Sequence, residues 1–167
     1  FDIITSTWDP GGPIIYYHND GNGMFSDYTA RAGLAGQLGG LNIVQTDYNN
    51  DGLLDILVMR GAWLGRSGMM RMSLLRNNGD GTFAAPTHIT VGPRPHDVIA
   101  ADLNRDGRVD LAVSNEGFGL GGGDACTLLG NGDGTFAAPR FFTTGRNPRN
   151  ADVIDVNGDG ILDMLTG

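Results

Sequence analysis

Apolar residues along this chain fall in short runs separated by clusters of Gly, Asp and Asn. Ile43-Val44 leads into one such cluster and Ile56-Leu57-Val58 leads out of it. Val98-Ile99-Ala100-Ala101 and Leu111-Ala112-Val113 flank a second cluster, and Val153-Ile154 and Met164-Leu165 flank a third. Runs this short, bounded by turn formers, suit buried strands, because an amphipathic helix needs roughly ten or more residues with a 3.6-residue period. Leu74-Leu75 and Thr127-Leu128-Leu129 predict the next strand in each unit, and the region around Phe141-Phe142 predicts a fourth. Four short strands every ~53 residues is the size of one propeller blade.

The polar clusters are themselves a repeat. Asp47-Tyr-Asn49-Asn-Asp51-Gly52-Leu-Leu-Asp55 recurs as Asp102-Leu-Asn104-Arg-Asp106-Gly107-Arg-Val-Asp110, and again as Asp155-Val-Asn157-Gly-Asp159-Gly160-Ile-Leu-Asp163. A second marker keeps the same phase: LLRNNGDGTF from Leu74, LLGNGDGTF from Leu128, and a weaker YYHNDGNGMF from Tyr16. The repeat phases run approximately 1–46 (partial), 47–101, 102–154 and 155–167 (partial). Phe1-Asp2-Ile3-Ile4 aligns with Leu54-Asp55-Ile56-Leu57, so the chain reads as a window on a longer array. The expected fold is all-β: about three four-stranded propeller-type blades with incomplete blades at the ends.

Composition sharpens this picture. The 28 glycines match many tight turns. All eleven cations are Arg, and all nineteen acids are Asp except Glu116, so the Glu and Lys of ordinary helix surfaces are missing. A net charge of −8 disfavours nucleic acid and anionic membrane, which want a basic face. No apolar run approaches the roughly 20 residues of a membrane-spanning helix. Cys126 is the only cysteine, which leaves no internal disulfide and reads as a small packed hydrophobe.

The loop D-x-N-x-D-G-x-x-D has the chemistry of a calcium site. Calcium takes six to eight oxygens from carboxylates, amides and backbone carbonyls. Positions 1, 3, 5 and 9 supply Asp47, Asn49, Asp51 and Asp55, with the carbonyl of Leu53 at position 7. The second loop supplies Asp102, Asn104, Asp106, Asp110 and the carbonyl of Arg108. The third supplies Asp155, Asn157, Asp159, Asp163 and the carbonyl of Ile161. Gly at position 6 allows the positive φ that turns the ligands inward. Three carboxylates within nine residues repel one another without a cation. An EF-hand is excluded, since its position 12 needs Glu and here carries Val58, Val113 and Thr166.

These loops together with the NGDGTF turns and the Phe83-Ala-Ala-Pro86 and Phe136-Ala-Ala-Pro139 segments resemble FG-GAP/VCBS repeats, the calcium-loop blades of integrin α-chain propellers and of many secreted microbial proteins. The resemblance covers essentially the whole chain. It implies Ca2+ between the first two strands of each blade, closure into a ring of seven or eight blades in a full-length protein, and an extracellular or cell-surface location.

The loop after the second strand varies most between copies, and each copy carries one large aromatic: Trp8, Trp63 and Phe118. Such residues can stack on sugar rings or anchor a protein partner, or can fill space between blades. Arg60, Arg66 and Arg71 with Met69, Met70 and Met72 offer either an adaptable contact surface or a part-buried loop. Asp80 and Asp133 read as turn formers. No nucleophile elbow, metalloprotease helix or phosphate loop is present, so the chain itself is expected to be non-enzymatic. The leading expectation is a calcium-stabilised extracellular binding or adhesion module for glycan or protein. The alternatives are a subunit of an extracellular polymer that self-associates, and a non-catalytic part of a carbohydrate-active lyase or dehydratase.

Overall fold

A computed structural model describes residues 1–7, 9, 11–60, 71–117 and 123–167. Among them are thirteen strands and no helix. The first sheet holds β1 (Ile3–Thr5), β2 (Ile15–Gly21) and β3 (Met24–Asp27). The second holds β4 (Asn42–Thr46), β5 (Asp55–Met59), β6 (Met72–Leu75) and β7 (Thr87–Ile89). The third holds β8 (Pro95–Ala101), β9 (Asp110–Asn115), β10 (Asp124–Leu128) and β11 (Arg140–Thr143), and the last pairs β12 (Ala151–Ile154) with β13 (Asp163–Thr166). Every pairing is antiparallel and follows chain order. The all-β repeat expected from the sequence is therefore present, as two four-stranded blades flanked by sheets of three and two strands. Each Asp loop joins the first and second strands of a blade, so a repeat counted from its Asp loop straddles two sheets.

The sheets pack face to face, which explains the uninterrupted apolar runs. Successive side chains of a strand point to opposite faces, and in β5 both faces are covered. Ile56 and Val58 join Tyr16 of the first sheet and Ile14 and Leu34 of the segments beside it, while Leu57 and Met59 join Leu111, Val113 and Leu128 of the third. Cys126 lies in this second core, fully buried, as a packed hydrophobe. Full burial of a side chain such as Leu57 stabilises by about 1.5–3 kcal/mol.

Two further devices join neighbouring blades. The Phe of each NGDGTF turn packs on the preceding blade: Phe83 lies edge-on to Tyr16 at 6.2 Å and Phe136 to Tyr48 at 6.1 Å. At the first strands, the Asp97 carboxylate accepts from Asn42 Nδ2 at 2.9 Å on one side and from the Ala151 N–H at 3.0 Å on the other. One carboxylate thus ties three consecutive blades together.

Candidate metal centre

The three Asp loops share one internal wiring. Position 1 accepts the N–H groups of positions 5 and 6. Asp47 does so at 3.1 and 2.8 Å, Asp102 at 3.1 and 2.8 Å, and Asp155 at 3.1 and 2.6 Å. Position 5 accepts the N–H of position 7, at 2.8 Å for Asp51, 2.9 Å for Asp106 and 2.7 Å for Asp159. Its other oxygen accepts the amide of the Asn at position 3, at 2.7, 3.0 and 3.0 Å in chain order. The glycines at position 6 have φ of 85°, 81° and 80°, where a Cβ would be strained, which is why only Gly fits.

Position 9 opens the second strand of the blade and is a latch. Asp55 accepts the N–H of Tyr48 at 3.2 Å and of Asn77 at 2.8 Å, and Asp110 accepts those of Leu103 at 3.0 Å and Gly130 at 2.7 Å. Both carboxylates are fully buried. Asp2 occupies the same place in the first sheet, bonded to the Asn19 N–H at 2.8 Å and the Tyr16 hydroxyl at 2.6 Å. Burial, and then that bond, push the Tyr16 hydroxyl up to about 12. The partners Asn77 and Gly130 lie at the start of the Gly/Asn turn that follows the third strand of their blades, and Asn19 lies near the end of β2; the sequence does not single them out as partners of an Asp.

The residues expected to hold metal are thus brought together within each loop, and their carbonyls at positions 7 belong to the same turn. Among the described residues no three acidic, His or Cys side chains converge on a single point. The donor set nevertheless fits a hard divalent cation. It offers carboxylate, amide and carbonyl oxygens, and each carboxylate oxygen that accepts one N–H keeps a second lone pair. Asn49 Oδ1 is buried and has no hydrogen-bond partner, whereas Asn104 Oδ1 and Asn157 Oδ1 accept the N–H of Asp106 at 3.1 Å and of Asp159 at 2.9 Å. Burial raises the Asp55 carboxyl above the ordinary carboxylate range, and the charges of Asp51 and Asp47 push it further up. Like charges in this loop therefore face one another.

Asp80 and Asp133 are turn residues. Asp80 Oδ1 accepts the N–H of Thr82 at 3.0 Å and its hydroxyl at 2.6 Å, and Asp133 Oδ1 accepts the same groups of Thr135 at 2.9 and 2.5 Å. Trp8, Trp63 and Phe118 lie outside the described residues, as do Arg66, Met69 and Met70. Of the remaining members of that loop, Met72 and Arg60 are buried and Arg71 is exposed.

Over 167 aligned residues, covering 92% of the chain, the sequence is 29% identical to mouse (Mus musculus) cartilage acidic protein 1, of whose length it spans 25%. The FG-GAP-like repeat matches three times, at residues 1–58, 62–113 and 118–166. Each match ends three residues past the Asp at position 9 of a loop, and together they take in nearly the whole sequence. The chain belongs to the FG-GAP-like repeat family.

Proposed function

We propose that the chain is a calcium-stabilised repeat module working outside the cell, with a binding or adhesive role toward glycan or protein. The observation that carries the calcium reading is the buried, unpartnered Asn49 Oδ1, whose own amide nitrogen donates to the Asp51 carboxylate at 2.7 Å. Asp47, Asn49, Asp51, Asp55 and the Leu53 carbonyl would hold the ion in the first loop, and their counterparts in the other two. The ion would supply charge compensation and rigidity, with no chemistry assigned to it. Nine of the nineteen acids stand in these loops, so three Ca2+ would move the net charge from −8 to about −2. Extracellular calcium modules bind at about 10⁻⁴–10⁻³ M, which suits millimolar calcium outside the cell. The name of the mouse relative, a cartilage acidic protein, supports the same location.

The binding role is assigned to the loops joining second and third strands, because the Asp loops would be occupied by metal and the strands by core packing. Trp63, with Trp8 and Phe118, is the residue type that stacks on a sugar ring or anchors a protein. Titration with terbium, a luminescent calcium substitute, tests the metal: three sites displaced by calcium are expected, and no displaceable binding would refute it. Trp63→Ala tests the loops, with glycan or partner binding expected to vanish while the melting temperature holds. A core-type loss of about 3–5 kcal/mol with binding intact would instead make Trp63 a packing residue.

A further inference from the structure

Arg60 follows β5 on the face that meets the first sheet, and it is 5% exposed. Its Nε donates to the Leu38 carbonyl at 2.9 Å and its Nη1 to Ser73 Oγ. Its Nη2 is buried and has no acceptor among the described residues. The ion pairs among the described residues involve Arg94, Arg108, Arg149 and His18, and none reaches Arg60 or Arg71. The β5–β6 register pairs Val58 with Ser73, and two residues further it brings Arg60 level with the exposed Arg71. Ser73 in turn pairs with His88 of β7, whose Nδ1 lies 3.1 Å from Ser73 Oγ. This end of the blade therefore gathers the Arg60 guanidinium, a hydroxyl and an exposed imidazole next to the exposed Arg71, with no acid bonded to any of them among the described residues.

The next blade sets an acid of its own at the same positions, although Asn115 Oδ1 there is buried without a partner. Asn115 stands where Arg60 stands, and it is paired with Asp124, whose carboxylate accepts from Asn115 Nδ2 at 2.7 Å. Cys126 replaces Ser73, and Phe141 replaces His88. Blade three supplies its own carboxylate at the position that blade two gives to Arg71. A guanidinium stays charged at any ordinary pH, and burying it without a counter-ion is unfavourable, as is setting a second cation level with it. The planar fork of Arg matches a carboxylate better than any other common anion except phosphate-type groups.

We propose that this end of the second blade binds a carboxylate group supplied by a ligand, which pairs with Arg60 Nη2 and is flanked by Arg71 and His88. The site uses no residue of the Asp loops and is independent of the calcium reading.

The test is a melting and NMR titration of the whole chain with acetate and with glucuronate. Sodium chloride at equal ionic strength and the methyl ester of glucuronate serve as controls. Each titration is run in calcium and in EDTA, so that failure of the metal reading leaves this result legible. Carboxylates are expected to raise the melting temperature beyond chloride and to shift the His88 ring signals. Arg60→Met is expected to weaken carboxylate binding about tenfold or more, and Arg71→Gln to weaken it a few-fold. Asp124→Asn, in the neighbouring blade, is expected to leave it unchanged. If Arg60→Met does not fold, the exposed variants Arg71→Gln and His88→Gln carry the test. No carboxylate-specific effect in the wild type overturns the proposal. So does an effect that survives Arg60→Met, or one that survives both Arg71→Gln and His88→Gln, or an equal response to the neutral ester.

Discussion

The loops at 47–55 and 102–110 share their backbone wiring almost bond for bond but differ in charge. Positions 4 and 7 are Asn50 and Leu53 in the first and Arg105 and Arg108 in the second. Arg108 Nη2 sits 3.3 Å from Asp106 Oδ2. The Asn104 amide, with the Arg108 N–H and its guanidinium, holds the Asp106 carboxyl below the usual range. Arg105 reaches onward to the third loop, where a Cβ at Gly160 would collide with its guanidinium. There the Ile161 N–H and the Asn157 amide, with Arg105 itself, lower Asp159. Among the described residues the first loop has no such ion pair, its Asp55 is raised, and its Asn49 Oδ1 has no donor. Backbone N–H groups thus suffice to shape all three loops, while arginines already compensate part of the charge in the second and third. The first loop should depend most on an external cation.

Removing calcium from all three loops is the largest perturbation of that comparison. At tenfold excess over Kd each site contributes about 1.4 kcal/mol. Excess chelator is then expected to lower the melting temperature by on the order of 10 °C, read by calorimetry. Identical melts with and without EDTA would break the metal reading outright.

A narrower measurement separates ligand from turn former. Asp106→Ala is expected to abolish one site and to cost about 1–3 kcal/mol, because it also unpairs the Arg108 N–H. Asp133→Ala is expected to cost well under 1 kcal/mol, since its carboxylate serves one exposed turn. Equal losses in urea unfolding would show the assignment of the two Asp classes to be wrong.

The charge difference itself is tested by Arg108→Ala, which is expected to tighten calcium binding at the second loop about two- to fivefold at low salt. Site-resolved terbium titration should detect this, and the gap should narrow as salt rises. An affinity order in which the first loop is weakest would sink the ranking.

The smallest effect is a pH dependence outside the loops. Hydrogen bonds from the Thr82 hydroxyl and N–H hold Asp80 below its ordinary 3.8. Its contribution is therefore complete above about that value and is lost as pH falls through the lower folded-state pKa. Thr82→Val should flatten the acid limb of the stability curve slightly, and a steeper limb would contradict the sign.

Much of the candidate site could be read in the sequence because it is local. A nine-residue loop with Gly at position 6 wires itself through bonds five residues apart or fewer, apart from the latch at position 9, and three copies in phase reveal it. The strands around it are legible for the same reason, since Ile56-Leu57-Val58 is too short for anything but a covered strand. What fixes position 9 is not local. Asp55 is held by Asn77, 22 residues on, and Asp110 by Gly130, 20 residues on, and neither separation has a periodic signature.

Arg60 marks the limit most clearly. Grouped by sequence with Arg66, Arg71 and three methionines, it reads as part of a loop surface or a part-buried loop, and nothing local decides between the two. In the fold, strand alternation places it on the same face as Ile56 and Val58, and stacking of the first sheet closes over it. Met72 is likewise drawn into the core with Leu74. The sequence by itself determined which short segments pair and which loops gather carboxylate and amide oxygens, because turn chemistry and two-residue periodicity act within a few bonds. Only the tertiary structure decided which side chains lose water, which carboxylates are latched and which guanidinium nitrogen is left without an acceptor among the described residues, because those depend on how separate sheets meet.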